Sequence, residues 1–195
     1  MKTAEKTEDR RIQRTRDLLK CTLVQLIEKQ GYEGISVQDL TREANMGRAT
    51  FYLHYKDKHD LLWQSLKAPL EDLRERFPNS GAALPEEPSP MLRALFELAA
   101  QEKLLFKTAL EVPSAMQVGQ HIRAYIAGFF LNRIRQDVPD SAEPQLAAEF
   151  LAGGILSVLQ WWLGQEEPQD AFQITLLLKQ LAIQPVFQGL SICQE

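Results

Sequence analysis

The sequence predicts an all-α protein of about nine helices. Apolar residues recur at helical spacing along nearly the whole chain, and no segment alternates as a half-buried strand does. Breaks rich in glycine and proline divide the pattern into pieces of helix length. With 195 residues, 45% of them hydrophobic, there is enough apolar material for a real core and one or two compact domains.

From Asp9 to Gln30, Ile12, Leu19, Leu23, Leu26 and Ile27 mark one face of a long first helix. "GYEG" at 31–34 stops it, glycine being the usual terminator. Ser36 caps a short helix, "VQDLTREA", and the break "NMG" separates it from another, "RATFYLHY". Asp57 is placed to cap a fourth helix, with Asp60 as its capping-box partner. That helix runs through "LLWQSLKAPLEDLRERF", and Pro69 within it should kink it by removing a hydrogen bond and crowding the preceding turn. The stretch 78–90, "PNSGAALPEEPSP", holds four prolines and a glycine and reads as a linker or exposed loop. Ser89 and Pro90 open a helix to about residue 101, and a short one follows to about 111. Pro113 opens a longer helix to about Asp137, "VPDSAEP" separates it from one at about 143–164, and "GQEEPQD" leads into the last, about 169–184, which Pro185 ends or bends.

The formal net charge is −4, but it is unevenly spread. Through Asp60 there are 12 Lys and Arg against 10 Asp and Glu, net +2, whereas from Leu61 onward there are 10 against 16, net −6. An acidic whole chain is therefore compatible with a polyanion partner for its first third. No stretch approaches the roughly 18 uncharged apolar residues of a membrane span, and "MKTAEKTEDRRIQRTRD" is too charged for a signal peptide, so a cytoplasmic protein is expected. Cys21 and Cys193 are far apart and fit neither a disulfide framework nor a zinc pattern; Cys21 is expected in the core of the first helix. His54, His59 and His121 show no metal spacing, there is no nucleophile elbow, and the glycine pair 153–154 lies in an apolar helix rather than a phosphate loop. No enzyme, metal or cofactor is predicted.

Two short helices joined by a tight break, after a long supporting helix, are the makings of a helix-turn-helix, whose second helix lies in the DNA major groove. In "GRATFYLHY", Phe51 and Tyr55 are four apart and share the face that packs inward. Arg48, Thr50, Tyr52 and His54 then face outward. Arg48 can fork onto a guanine and Thr50 can touch a thymine methyl or a phosphate. Tyr52, His54 and Lys58 can grip phosphates on either side.

The segment "GYEGISVQDLTREANMGRATFYLHYKDKHDLL" resembles the DNA-binding domain of the TetR family of bacterial transcription regulators. Its capped second helix, aromatic recognition helix and the lysine entering the fourth helix agree in register. Asn45 stands where the family usually has glycine and Gly47 where it usually has a Ser cap; Asn reaches the left-handed region readily and glycine is an acceptable N-cap. The resemblance implies a DNA-binding domain at 9–65, with the helix-turn-helix at about 34–54, and a helical ligand-binding and dimerisation domain at 66–195. By position it marks Ser36, Gln38, Arg48, Ala49, Thr50, Tyr52, His54 and Lys58 as DNA contacts, with Gln38, Arg48 and Ala49 setting sequence preference.

The same resemblance implies that the helices at 143–164 and 169–184 meet their copies in a homodimer on a palindromic operator in double-stranded DNA. Phe150, Ile155, Val158, Trp162, Leu176 and Ile183 carry the surplus apolar surface for that interface. For a pocket taking a small apolar or amphipathic ligand, the candidates are Trp63, Phe96, Phe106, His121, Tyr125, Phe129 and Trp161, with His121, Tyr125 and Phe129 on one helix face. The fourth helix, with Pro69 as a fixed elbow, would carry movement from the pocket to the DNA-binding end. The expected function is a repressor released by ligand; a regulator answering to a protein partner, or an activator, is the alternative.

Overall fold

The computed structural model describes residues 2–77, 88–138, 143–166 and 168–192, and every described element is helical. Most of the expected loop 78–90, and residues 139–142 of the later break, lie outside the described residues, as does Cys193.

Helix α1 spans Lys2–Gln30, longer at its start than the apolar stripe predicts. Gly31, at φ 73°, ends it, as a residue without Cβ does at a left-handed C-cap. Helix α2 (Val37–Glu43) begins with a complete capping box: the Asp39 N–H donates to the Ser36 hydroxyl, and the Asp39 carboxylate accepts from the Ser36 N–H. The turn to α3 (Arg48–His54) passes through Asn45 at φ 49°, the left-handed position that asparagine tolerates. Helix α4 (Lys58–Arg76) starts at Asp57, whose carboxylate accepts from His59 N–H and Asp60 N–H at 2.8 Å each. The return bond from Asp60 goes one residue further back, to Lys56 N–H at 3.0 Å. Pro69 lies inside α4 without ending it.

Leu19 and Leu23 of α1, Leu40 of α2, Phe51 of α3, Tyr55 at its C-cap, and Leu61 and Leu62 of α4 form the buried centre of this N-terminal unit. Phe51 is wholly buried, worth about 1.5–3 kcal/mol of transfer free energy for such a side chain. Cys21 does not join this core. It is exposed, because the buried stripe of α1 runs through Leu19, Thr22 and Leu23, off the face that Cys21 occupies.

Beyond α4 come α5 (Pro90–Gln101), α6 (Lys103–Glu111), a 3-10 turn at Pro113–Ala115, α7 (Met116–Asp137), α8 (Pro144–Gly164), α9 (Ala171–Leu178), a π turn at Lys179–Ile183, and α10 (Gln184–Ile192). The turn at Pro113 means that the long helix begins at Met116 rather than at the proline. Pro185 does not end the chain's last helical run. The wider π turn lies just before it, and Gln184 N–H bonds to the Lys179 carbonyl five residues back. That turn absorbs the ladder position where proline has no N–H to give.

Helices α7 and α8 pack along each other, with α4, α5 and α6 around them. Gly119 is where α7 passes closest to α6: a Cβ there would meet the Ala109 carbonyl oxygen at 2.7 Å. By length and composition alone α8 could cross a bilayer, with a mean hydropathy of 1.4 over its best window, but half of that window is buried inside the protein. The rest of its apolar surface is outward-facing. Leu146, Phe150 and Trp161 are exposed on α8, as are Leu177 of α9 and Leu181 of the π turn. Two of the residues expected at a dimer interface, Ile155 and Trp162, belong instead to the protomer's own core, at 1% and 3% exposure. The helical turn sends them inward with Leu151 and Leu159, and the Trp162 indole N–H donates to the Gln169 carbonyl at 2.8 Å.

Candidate nucleic-acid interface

The outward face of α3 is built by what its inward face must do. Phe51 is buried in the core and Tyr55 is packed beside it, their rings 5.8 Å apart. Arg48, Ala49, Tyr52 and Leu53 then share the opposite side, all exposed. Leu53, 81% exposed, is the residue that sequence reasoning missed. A leucine four residues after Ala49 and off the Phe51–Tyr55 face was the available signal. On a major-groove face it supplies an apolar contact of the kind that reads a thymine methyl.

Arg48 and Gln38, both exposed, are brought together from α3 and α2: the guanidinium donates to the Gln38 Oε1 at 2.6 Å. One Arg donor is thereby anchored, the rest of the fork is aimed outward, and the Gln38 amide N–H groups remain available. Thr50 and His54 are half-buried. His54 lies beside Tyr55 and faces the groove between α1 and α4, not the side carrying Arg48 and Tyr52.

Two expected DNA contacts, Ser36 and Lys58, are engaged elsewhere. The Ser36 hydroxyl donates to Asp39 Oδ2 at 2.6 Å, so its proton serves the α2 cap. Hydrogen bonds from the Ser36 side chain and backbone hold the Asp39 carboxyl below the usual range. Lys58 is the clearer correction. Its ammonium donates to the carbonyls of Tyr32, Glu33 and Ile35 at 3.0, 3.2 and 2.9 Å, and lies 4.8 Å from the Tyr32 ring centroid. All three protons close the loop after α1, leaving none for a phosphate. Burial lowers the pKa of Lys58, opposed by the Glu33 charge, and burial raises that of Tyr32, with Asp57 adding to the rise. The Tyr32 hydroxyl is 2.9 Å from His59 Nδ1, which completes the cluster. Lys56, two residues earlier, is exposed.

The geometry is that of a helix-turn-helix whose second helix exposes Arg48, Ala49, Tyr52 and Leu53, and comparison with known proteins agrees on the helix-turn-helix. The family model of bacterial regulatory proteins, tetR family, matches residues 22–63. A model of the transcriptional regulator C-terminal region matches residues 86–184, half of the chain. The chain belongs to the TetR family. It is a DNA-binding transcription regulator. Over 59 residues it is 54% identical to YxbF, an HTH-type transcriptional regulator of Bacillus subtilis (strain 168); that match spans 30% of this chain and 16% of the relative's length. A TetR-family regulator from Syntrophomonas wolfei superposes with a TM-score of 0.70 at 19% identity, over 88% of this chain and 96% of that one. FadR from Bacillus subtilis, solved in complex with stearoyl-CoA, superposes with a TM-score of 0.58 at 17% identity, over 88% and 97% of the two chains. At these identities the two structures show a shared fold.

The seven candidate ligand residues are spread between the α4–α7 contact, the core and the outer face of α8. Two contacts join α4 to α7: the Trp63 and His121 rings are 5.0 Å apart, and the Tyr125 hydroxyl donates to the Leu70 carbonyl at 2.6 Å. His121 is nevertheless exposed. Burial raises the Tyr125 pKa, with Arg74 opposing. Phe129 is half-buried against Phe130, and Phe106 is wholly buried. Phe96 is wholly buried against Trp162, ring centroids 5.2 Å apart. Trp161 is 55% exposed on the outer face of α8 and lines no interior wall, because its neighbour Trp162 takes the inward position. A groove of about 400 Å³ lies between α6, α7 and α8, lined by Met116, Gly119, Arg123, Gly153, Leu156 and Gln160 among others.

Proposed function

We propose that this TetR-family regulator is a homodimeric repressor that grips a palindromic operator with its two α3 helices and is released by a small apolar or amphipathic ligand. The observation that carries the DNA half is the exposed Arg48–Gln38 pair beside Ala49, Tyr52 and Leu53, a polar-and-apolar face suited to base edges. The DNA-binding domain is taken as 9–65 and the regulatory domain as 66–195. Exposed Leu146, Phe150, Trp161, Leu177 and Leu181 support a two-fold interface through α8 and α9, since large apolar side chains clustered on a surface mark association sites. A regulator of chromosomal DNA works in the cytoplasm, as a binding protein rather than an enzyme.

Ligand release is supported by the α4–α7 contact. The Trp63–His121 and Tyr125–Leu70 pairs join α4, which begins at the DNA-binding unit, to the helix that crosses the second domain. A ligand that separates them shifts the spacing of the two α3 helices, and only by its differential affinity for the two states. The stearoyl-CoA complex of FadR makes long acyl chains the first compounds to try. The test measures operator release by stearoyl-CoA, free fatty acids and a panel of hydrophobic amines, with Trp63 emission as the second signal. At least one compound releases operator if the reading is right. A second reading, control by a protein partner, is favoured by the filled core around Phe96 and Phe106. It takes over if no compound acts.

A further inference from the structure

A cleft of about 350 Å³ opens between α1, the end of α3 and α4, apart from both the DNA-reading face and the seven aromatic candidates. Arg16, Asp17 and Lys20 of α1 lie along one wall, with His54 and Tyr55 from the end of α3, and Ala68 and Pro69 of α4 supply an apolar side. Arg16, Lys20 and His54 line the cleft with Asp17, while Glu102 pairs with Lys20 and Asp60 acts on Tyr55 from α4. The Asp17 carboxylate is already engaged, accepting from the Gln13 amide at 2.9 Å. Arg16 makes no ion pair with any described residue.

Tyr55 adds an independent observation. The residue is 5% exposed and lines the cleft, yet its hydroxyl has no hydrogen-bond partner among the described residues. A hydroxyl on a cleft wall with no protein partner is free to bond a solute that enters. Burial raises its pKa, the Arg16 charge opposes that rise, and the Asp60 and Asp17 charges add to it.

We infer that this cleft binds a small organic anion, its carboxylate or phosphate held by the Arg16 guanidinium and the Tyr55 hydroxyl, with Lys20 as a third donor. A guanidinium fork matches either oxyanion. The cleft volume is at the small end of ligand sites and suits a molecule the size of a dicarboxylate or a glycerol phosphate. Occupancy would be felt beyond the cleft. Lys20 pairs with Glu102, at the junction of α5 and α6, so an anion that draws Lys20 toward itself loosens a tie between the DNA-binding unit and the second domain. This inference does not depend on the apolar ligand proposed above.

The test is calorimetric titration of the full-length, DNA-free protein with succinate and with glycerol 3-phosphate, using succinamide and glycerol as uncharged controls. At least one anion binds saturably at millimolar concentration or below, and the uncharged controls do not. Which one binds tells a carboxylate ligand from a phosphate. Arg16→Gln weakens binding by about tenfold or more, the loss expected for a charge-assisted bond. Tyr55→Phe, which keeps the packed ring, weakens it severalfold, and Glu102→Gln tightens it by releasing Lys20. Thermal unfolding of the three variants checks that each is folded. Absence of saturable binding by either anion overturns the proposal, as does equal binding by Arg16→Gln or weaker binding by Glu102→Gln. Loss of operator affinity by Arg16→Gln in anion-free buffer would make the cleft a DNA-phosphate contact and equally overturn it.

Discussion

Replacing Lys58 with methionine keeps the aliphatic stem and removes the three donors that reach the carbonyls of Tyr32, Glu33 and Ile35. A hydrogen bond to a charged group contributes about 1.5–3 kcal/mol net. The three share one ammonium and the Glu33 carbonyl is near solvent, so they do not add in full. A loss of about 2–4 kcal/mol is the working figure, a large part of the roughly 5–15 kcal/mol that holds a domain together. In a chain of this size that lowers the melting temperature by about 5–15 °C. The assay is thermal and urea unfolding of Lys58→Met beside Lys56→Met, with operator affinity measured over a salt series well below each melting temperature. Lys58→Met should be strongly destabilised and keep nearly the wild-type salt dependence. Lys56→Met should unfold like the wild type and lose about one unit of the salt slope. If Lys58→Met instead unfolds normally and loses a unit of slope, the lysine is a phosphate contact and the structural reasoning is refuted.

Arg48→Ala should relax discrimination at one base pair by about 1–3 kcal/mol, and Gln38→Ala should reproduce part of that relaxation at the same position, read with single-base operator variants. Tyr52→Ala should weaken all sequences alike. Phe150→Glu combined with Leu181→Glu, both at exposed positions, should give folded monomers by light scattering that fail to hold operator; an intact dimer would place the interface elsewhere. Gly119→Ala brings a Cβ to within 2.7 Å of the Ala109 carbonyl oxygen, and should cost about 1–3 kcal/mol in urea unfolding because backbone, not a flexible side chain, must move.

Much of the N-terminal unit was legible because its signals are local. Ser36, Asn45, Gly47 and Asp57 each sit at a cap or turn with a narrow list of acceptable residues, and each takes the conformation its type predicts. The inward pair Phe51 and Tyr55 followed from spacing alone and fixed which side of α3 faces out. The failures came where partners are remote in sequence. Nothing near Lys58 announces three carbonyls some 25 residues earlier, so a cation at the start of a helix read as a phosphate grip. Trp161 and Trp162 are indistinguishable by composition, and only the packing of α8 on Phe96 decides which one turns inward. The last helix was cut short at Pro185 because a π turn leaves no mark in the pattern of apolar residues.

Selection of bound DNA from a random pool, run in parallel on the wild type and Arg48→Ala, shows whether paired α3 helices read base sequence through Arg48. The wild type should select a two-fold symmetric sequence, with half-sites about 10–10.5 base pairs apart or a multiple of that. In the variant, one symmetric pair of positions should lose its preference while the rest of the site persists. Enrichment of no sequence, or of an asymmetric one that Arg48→Ala leaves unchanged, would contradict that reading.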